Sequence, residues 1–181
     1  MNQRRGEEQV RTIVVMGVSG CGKSTIAQRL GRATGWAVIE GDAYHPAANR
    51  AKMSAGLALT DADREPWLDV LRRRISVSPG SVVVACSALR RSYRDRLCVD
   101  GRSTYFIHLH GDDELLAERL ESRRGHFMSP DLLGSQLATL EPLGSDEPGA
   151  VLDIALEPSM LERLALAAIF TERNDVAHRP S

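Results

Sequence analysis

A glycine-rich segment near the N-terminus carries the residue types best suited to chemistry. It consists of Gly17, Val18, Ser19, Gly20, Cys21, Gly22, Lys23, Ser24 and Thr25. The segment fits the pattern G-x-x-x-x-G-K-[ST] in full. Its glycines let backbone N–H groups turn inward and form a nest for an anion. Lys23 supplies a cation for the β- and γ-phosphates of a nucleotide, and the Ser24 hydroxyl is a ligand for Mg²⁺. A chance glycine-rich turn is the alternative, and it is disfavoured by the strand before the segment and the helix after it.

Polar side chains follow the second predicted strand, at the edge where ligands bind in open α/β sheets. Asp42 is placed there to face both Mg²⁺ and an acceptor hydroxyl, which it could orient or deprotonate. The alternative for Asp42 is a helix N-cap or an Asx turn. The next candidates are His45, Lys52 and Arg64. Such an array suits a polyhydroxylated anion, and Arg64 could bind its carboxylate bidentately. A solvated helix face is the alternative for Arg64.

Arginines after the third predicted strand form a second basic group. Arg91 and Arg94 are three residues apart and share a helix face, from which they could hold the substrate or the migrating phosphoryl group. An exposed basic helix start is the alternative. No Asp ends the strand at residues 81–86, so Mg²⁺ would depend on Ser24, phosphates, water and a contribution from Asp42.

A third basic group is typical of a lid that closes over a triphosphate. Arg119 and Arg123 are candidates for nucleotide binding, and Arg124 is a candidate catalytic cation. Phosphoryl transfer needs positive charge on the developing transition state and needs water kept out. Favourable charge at a helix C-terminus is the alternative, and it explains one arginine more easily than three.

Strand and helix patterns alternate along the chain that positions these residues. Strands are predicted at 12–16, 37–40, 81–86, 104–109 and 151–155, and helices at 23–34, 63–76, 112–123 and 159–170. Continuous apolar strands between helices indicate a parallel sheet covered on both faces. Residues 141–149 are predicted to form a loop, and residues 171–181 a frayed tail.

Composition narrows the class of protein. The chain has 181 residues, 43% of them hydrophobic, and a formal net charge of −1. We therefore expect one domain with a real core and no electrostatic footprint for nucleic acid or membrane. Three cysteines without metal-ligand spacing, and no apolar leader or span, favour a cytoplasmic protein. Cys21 lies at a helix N-terminus, so we predict slow alkylation that nucleotide blocks; an inert small filler is the alternative.

Several sequence blocks together resemble the gluconokinase family of small P-loop kinases. They are G-V-S-G-C-G-K-S-T (17–25), G-D-A-Y-H-P-A-A-N-R-A-K-M (41–53), D-A-D-R-E-P-W-L (61–68), A-C-S-A-L-R-R-S-Y-R-D (85–95), R-R-G-H-F-M (123–128) and S-Q-L-A-T-L-E (135–141). The first block is shared across a superfamily, whereas the second and third are far more specific. One departure is the missing proline at 56–59, where the chain reads G-L-A-L.

The resemblance implies an α/β, three-layer, shikimate-kinase-like fold with a five-stranded parallel sheet, helices on both faces and a mobile lid. It implies one kinase domain over 1–181, with a substrate-binding segment at about 42–76 and a lid at about 123–135. It further implies transfer of phosphate from ATP to D-gluconate with Mg²⁺, by a homodimer. The rival hypotheses are a kinase for shikimate, a nucleoside or a nucleoside monophosphate, and a nucleotide-sensing module without an acceptor.

Overall fold

A computed structural model describes residues 10–122 and 130–175. Strands and helices alternate along these parts of the chain. The strands are β1 (Arg11–Met16), β2 (Ala37–Glu40), β3 (Val82–Ala85), β4 (Ser103–His110) and β5 (Gly149–Asp153). The helices are α1 (Lys23–Thr34), α2 (Ala47–Ser54), α3 (Asp61–Ser76), α4 (Arg91–Leu97), α5 (Asp113–Ser122), α6 (Pro130–Thr139) and α7 (Pro158–Asp175). A short 3₁₀ turn spans Gly41–Tyr44 and joins β2 to α2.

The five strands form one parallel sheet in the order β2-β3-β1-β4-β5. Val14 at its centre is in register with Val84 of β3 and Phe106 of β4. Every neighbouring pair is parallel, which confirms the predicted α/β sheet. All five strands therefore end at one edge, where the segments after β1, β2 and β3 meet.

Each face of the sheet is buried against a different set of helices. Side chains alternate across the strands, so Ile13 and Val15 lie in one apolar cluster and Val14 lies in the other. The first cluster includes residues of α1, α5, α6 and α7, and the second includes residues of α3 and α4. The result is a three-layer sandwich in which β-branched strand residues are packed on both sides.

The helices and strands with strong sequence patterns were predicted close to their observed bounds. The predicted α1 and β2 have the observed bounds, and the loop predicted from residue 141 lies between α6 and β5. α3 begins two residues before the prediction because Thr60 and Asp63 form a capping box at its start. The prediction of a frayed tail from residue 171 is wrong up to residue 175, since α7 continues to Asp175.

Three helices were not predicted with bounds: α4 was expected only as a helix face that carries Arg91 and Arg94, and α2 and α6 were not expected at all. α2 buries only the polar residue Asn49, so its sequence shows little apolar periodicity. α6 begins at Pro130, and its apolar residues come in adjacent pairs and singly rather than as a long stripe. Within the described ranges, no helix combines the length and the apolar character that crossing a bilayer requires.

Candidate active site

The glycine-rich segment bends between β1 and α1 at the carboxyl edge of the sheet. Gly17, Gly20 and Gly22 have φ values of 137°, 85° and 96°, a region that side chains disfavour. A Cβ on Gly17 would lie 2.5 Å from the Leu109 carbonyl oxygen, so the position has no room for one. Gly22 is the N-cap of α1 and brings the positive end of that helix to the loop. The backbone geometry is therefore that of an anion nest.

Lys23 and Ser24 follow this bend at the first turn of α1. The Lys23 Nζ donates to the Val18 carbonyl at 3.0 Å, so the ammonium group lies over the loop. The Ser24 Oγ donates to the Glu40 Oε1 at 2.8 Å. Hydroxyl and carboxylate oxygens are the hard ligands that Mg²⁺ prefers, and this ion usually keeps several waters and phosphate oxygens as well. Ser24 and Glu40 together fit such an ion.

Glu40 was missed by the sequence analysis. The available signal was an acidic residue at the carboxyl end of a strand, two positions before Asp42. Glu40 is the carboxylate that contacts Ser24, and the contribution of Asp42 to Mg²⁺ binding stays a prediction. In the described parts of the chain, no group of three or more His, Cys, Asp or Glu side chains could hold a metal ion by itself.

Asp42 lies on the 3₁₀ turn after β2, with 72% of its side chain exposed toward solvent. His45 at the end of the turn is buried and stacks on Trp67 of α3, with ring centroids 4.1 Å apart. The Trp67 indole N–H donates to the Gly41 carbonyl at 2.8 Å. Trp67 therefore contacts the turn that carries Asp42 at both ends, through His45 and through Gly41.

A hydrogen-bond chain fixes the tautomer of His45. The Asn49 Nδ2 donates to the Asp63 carbonyl at 2.7 Å, which sets the orientation of the amide. The same nitrogen lies 3.4 Å from the His45 Nδ1, so Nδ1 accepts and the ring proton belongs on Nε2. Burial lowers the pKa of His45, although Asp42 opposes the shift, so the ring is neutral near pH 7. The Nε2 lies 3.9 Å from the Asp42 Oδ1, a gap that one hydroxyl could bridge.

Lys52 is paired with a carboxylate of the predicted substrate-binding segment, that of Asp63. Its Nζ donates to both carboxylate oxygens of Asp63, at 2.7 and 2.8 Å. The bonds from Lys52 and Thr60 lower the pKa of Asp63 to about 2. Lys52 therefore joins α2 to the start of α3, with its ammonium group partly exposed at the rim.

Arg64 is buried between α3 and α4. Its Nη1 donates to the Leu59 carbonyl at 2.6 Å, and its guanidinium lies 5.6 Å from the centre of the Tyr93 ring. Burial and a hydrogen bond to Asp61 raise the pKa of Tyr93. The charge of Arg64 is close enough to help lower the pKa of His45. The structure thus brings Asp42, His45 and Arg64 together, as the prediction of an acceptor site requires.

Arg91 and Arg94 occupy one helix face, but they differ in burial. Arg91 is half-exposed and pairs with Asp146 at 2.9 and 2.6 Å. Arg94 has 1% of its side chain exposed and pairs with Glu147 at 2.6 and 2.8 Å. Both arginines are therefore bound to the segment between α6 and β5.

The remaining contacts of Arg94 favour a structural role over the predicted contact with substrate. Its guanidinium donates to four carbonyls, those of Ala88, Leu89, Glu141 and Pro142, at distances from 3.0 to 3.4 Å. Ala88 has a φ of 43°, which is unusual for a residue other than glycine. Arg94 therefore ties the segment 141–147 to the turn after β3, and its donors are already used. The sequence showed a charge near the crevice but not that the charge would be buried.

A cavity of about 200 Å³ lies beside the loop. It is lined by Gly20, Cys21, Gly22, Thr25, Ile26, Arg119, Ser122, Leu156, Pro158 and Leu161. The Arg119 Nη2 donates to the Ile154 carbonyl at 2.7 Å, which holds the guanidinium at the cavity wall. A planar cation beside apolar side chains suits a flat nucleobase. Cys21 is 1% exposed, which favours the inert filler over the predicted alkylation site. Arg123 and Arg124 lie outside the described residues.

Comparisons with known proteins agree with this geometry. A solved structure of deoxyadenosine kinase from M. mycoides shares the fold at 14% identity and a TM-score of 0.64, covering 88% of this chain and 99% of that one. A family model described as an AAA domain matches residues 13–143. The shared fold and the complete G-x-x-x-x-G-K-[ST] loop define a P-loop protein.

Closer relatives narrow the class. A gluconokinase from Gluconobacter oxydans is 53% identical over 142 residues, which cover 76% of this chain and 79% of that protein. The crystal structure of a gluconokinase from Sinorhizobium meliloti matches at 43% identity and a TM-score of 0.83, covering 93% of this chain and 97% of that one. The chain belongs to the gluconokinase family.

Proposed function

We propose that this chain transfers the γ-phosphoryl group of ATP to D-gluconate and releases ADP and 6-phospho-D-gluconate. The observation that carries the proposal is the 53% identity to a gluconokinase. The geometry supports it, because a phosphate nest and a buried, polar acceptor side lie at the same edge of the sheet.

The nucleotide side is built from the loop and the helix behind it. Loop N–H groups and Lys23 bind the β- and γ-phosphates, and the N-terminus of α1 adds its dipole. Arg119 and the cavity beside it receive the base. Ser24 and Glu40 would hold Mg²⁺, which when bound neutralises charge on the phosphate oxygens.

The acceptor side orients one hydroxyl of the sugar acid. Asp42 accepts the proton of that hydroxyl, and the His45 Nε2–H donates to the same or the adjacent oxygen. The hydroxyl oxygen forms its bond to γ-phosphorus as the bond from γ-phosphorus to the bridging oxygen breaks, and the proton leaves to Asp42 or to water. Because such transition states are loose, positioning contributes more than a strong base would.

Cations around this hydroxyl would bind the carboxylate and other hydroxyls of the sugar acid. Arg64 is fixed beside His45. Lys52 and Arg91 lie at the rim, where each is paired with carboxylates. Arg123 and Arg124 would close from the lid at about 123–135. One domain over 1–181 with a substrate segment at 42–76, a homodimer and a cytoplasmic location remain part of the proposal.

A panel of acceptors tests the proposal. ADP release is measured in a coupled assay with gluconate, shikimate and a nucleoside monophosphate, each at several concentrations with MgATP. We expect saturable turnover with gluconate only. Saturable turnover with another acceptor and none with gluconate would refute the substrate, and nucleotide binding with no acceptor-dependent turnover would refute the reaction.

A further inference from the structure

One contact at the phosphate loop has no part in the mechanism above. The Ser19 backbone N–H donates to the Gln136 Oε1 at 2.7 Å. Ser19 is the third residue of the glycine-rich segment, and Gln136 lies on α6, 117 residues further along the chain. The distance is at the short end of the range for N–H···O hydrogen bonds. The contact therefore joins the loop to a helix that is remote in sequence.

α6 holds Gln136 in a defined place. Leu133 on this helix is buried in the apolar cluster that also contains α1, and Leu137 packs against it. After the helix, Glu141 donates its N–H to the Leu89 carbonyl at 2.8 Å, and its carboxylate accepts from the Arg91 N–H at 2.7 Å. Leu137 and Glu141 lie beyond the proposed lid at about 123–135 and hold the C-terminal part of α6, so Gln136 projects toward the loop.

Ser19 belongs to the glycine-rich segment whose N–H groups form the anion nest, so a bound triphosphate could use its N–H as a donor. It carries one proton, so the Gln136 oxygen and a phosphate oxygen compete for it. The amide oxygen is neutral, whereas the phosphate oxygen is charged, and charge-assisted hydrogen bonds are about twice as strong as neutral ones. The phosphate should therefore displace Gln136.

We propose that Gln136 is a positioning residue that holds the Ser19 N–H while the loop is empty and yields it to a phosphate oxygen when the triphosphate binds. The proposal rests on the proposed function, since it needs a nucleotide at this loop. Without nucleotide, the Gln136 oxygen accepts from the Ser19 N–H and so preserves the conformation of the loop. It also reduces nucleotide affinity, because one existing hydrogen bond must be given up on binding.

Calorimetric titration with MgATP tests the exchange. Gln136→Leu removes the competing oxygen, and we expect it to bind MgATP roughly two- to tenfold more tightly, as the loss of one neutral hydrogen bond predicts. Gln136→Asn is one methylene shorter and should behave the same way. Ala138→Gln is the matched control, since it places the same side chain on an exposed position of α6, and it should bind as the wild type does.

The Ser19 amide resonance gives a readout that does not depend on affinity. In the wild type it should move on addition of MgATP, and in nucleotide-free Gln136→Leu it should already differ from the wild type. Unchanged or weaker MgATP binding by both Gln136 variants would overturn the exchange. An Ser19 resonance that is the same in the wild type and Gln136→Leu would also overturn it. Failure of the wild type itself to bind MgATP would instead refute the proposed function, so the two failures are distinguishable.

Discussion

Replacing Arg94 tests whether a buried arginine near the crevice has a structural role. In Arg94→Met the Glu147 carboxylate stays buried, loses both guanidinium bonds and keeps the Gly144 N–H at 2.8 Å. Four carbonyls lose a donor in the same change. Breaking a buried ion pair by removing one partner costs about 3–5 kcal/mol. Because a domain of this size has about 5–15 kcal/mol of stability, the loss should be easy to measure.

The assay is urea unfolding followed by circular dichroism, together with the KM for gluconate of the folded enzyme. We expect a large fall in the unfolding midpoint and a small change in KM. Arg91→Met is the matched control, since Arg91 lies one turn away and its pair with Asp146 is exposed. Its midpoint should stay near that of the wild type, because exposed ion pairs contribute little.

A double variant measures the interaction free energy between Arg94 and Glu147. Arg94→Met with Glu147→Gln removes the stranded charge, so it should be more stable than the sum of the two single changes predicts, by about 0.5–3 kcal/mol.

Arg94 lowers the pKa of Glu147 below its value in the unfolded chain. The stabilisation is therefore present above the unfolded pKa and is lost as the pH falls through the folded pKa. A stable Arg94→Met enzyme whose KM for gluconate rises tenfold would refute the structural role.

Three further changes address the site itself. Lys23→Ala should lower turnover about 100-fold or more while the unfolding midpoint is kept, since an electrostatic donor to the transition state is lost; a folded variant with normal turnover would contradict this. Glu40→Gln should raise the Mg²⁺ concentration for half-maximal rate about tenfold, measured by Mg²⁺ titration at fixed ATP, whereas an unchanged titration would exclude Glu40. His45→Gln should retain more activity than His45→Asn, because only Gln can place an N–H near the Nε2 position. The wild-type rate should fall in acid only below the lowered pKa of His45, and a loss of activity near pH 7 would be inconsistent with a neutral ring.

The parts of the fold that were predictable have local signals in the sequence. Gly22 and Gly35 bracket α1, and β-branched runs mark the central strands, so these elements were placed correctly. α2 and α6 lack an extended apolar stripe, and their positions depend on contacts with distant residues. Local patterns cannot show such contacts, because tertiary packing decides them.

The candidate site was predictable where its residues are neighbours in the sequence. The phosphate loop is continuous in sequence, so one motif specified its shape. Glu40 is 16 residues from Ser24 along the chain, and the structure alone shows that their side chains meet. Arg94 and Glu147 are 53 residues apart, so nothing near Arg94 in the sequence indicated that its charge would be neutralised.

The stack of Trp67 on His45 gives the enzyme an optical reporter at the point where the acceptor is expected. Indole emission responds to the polarity and protonation of its neighbours, and this indole touches the turn that carries Asp42 through its hydrogen bond to Gly41. The only other tryptophan of the sequence, Trp36, follows the C-terminal end of α1 and lies against Phe170. A chain with Trp36 replaced by Phe would thus carry a single tryptophan, and sugar-acid occupancy could be followed by its emission without any attached dye.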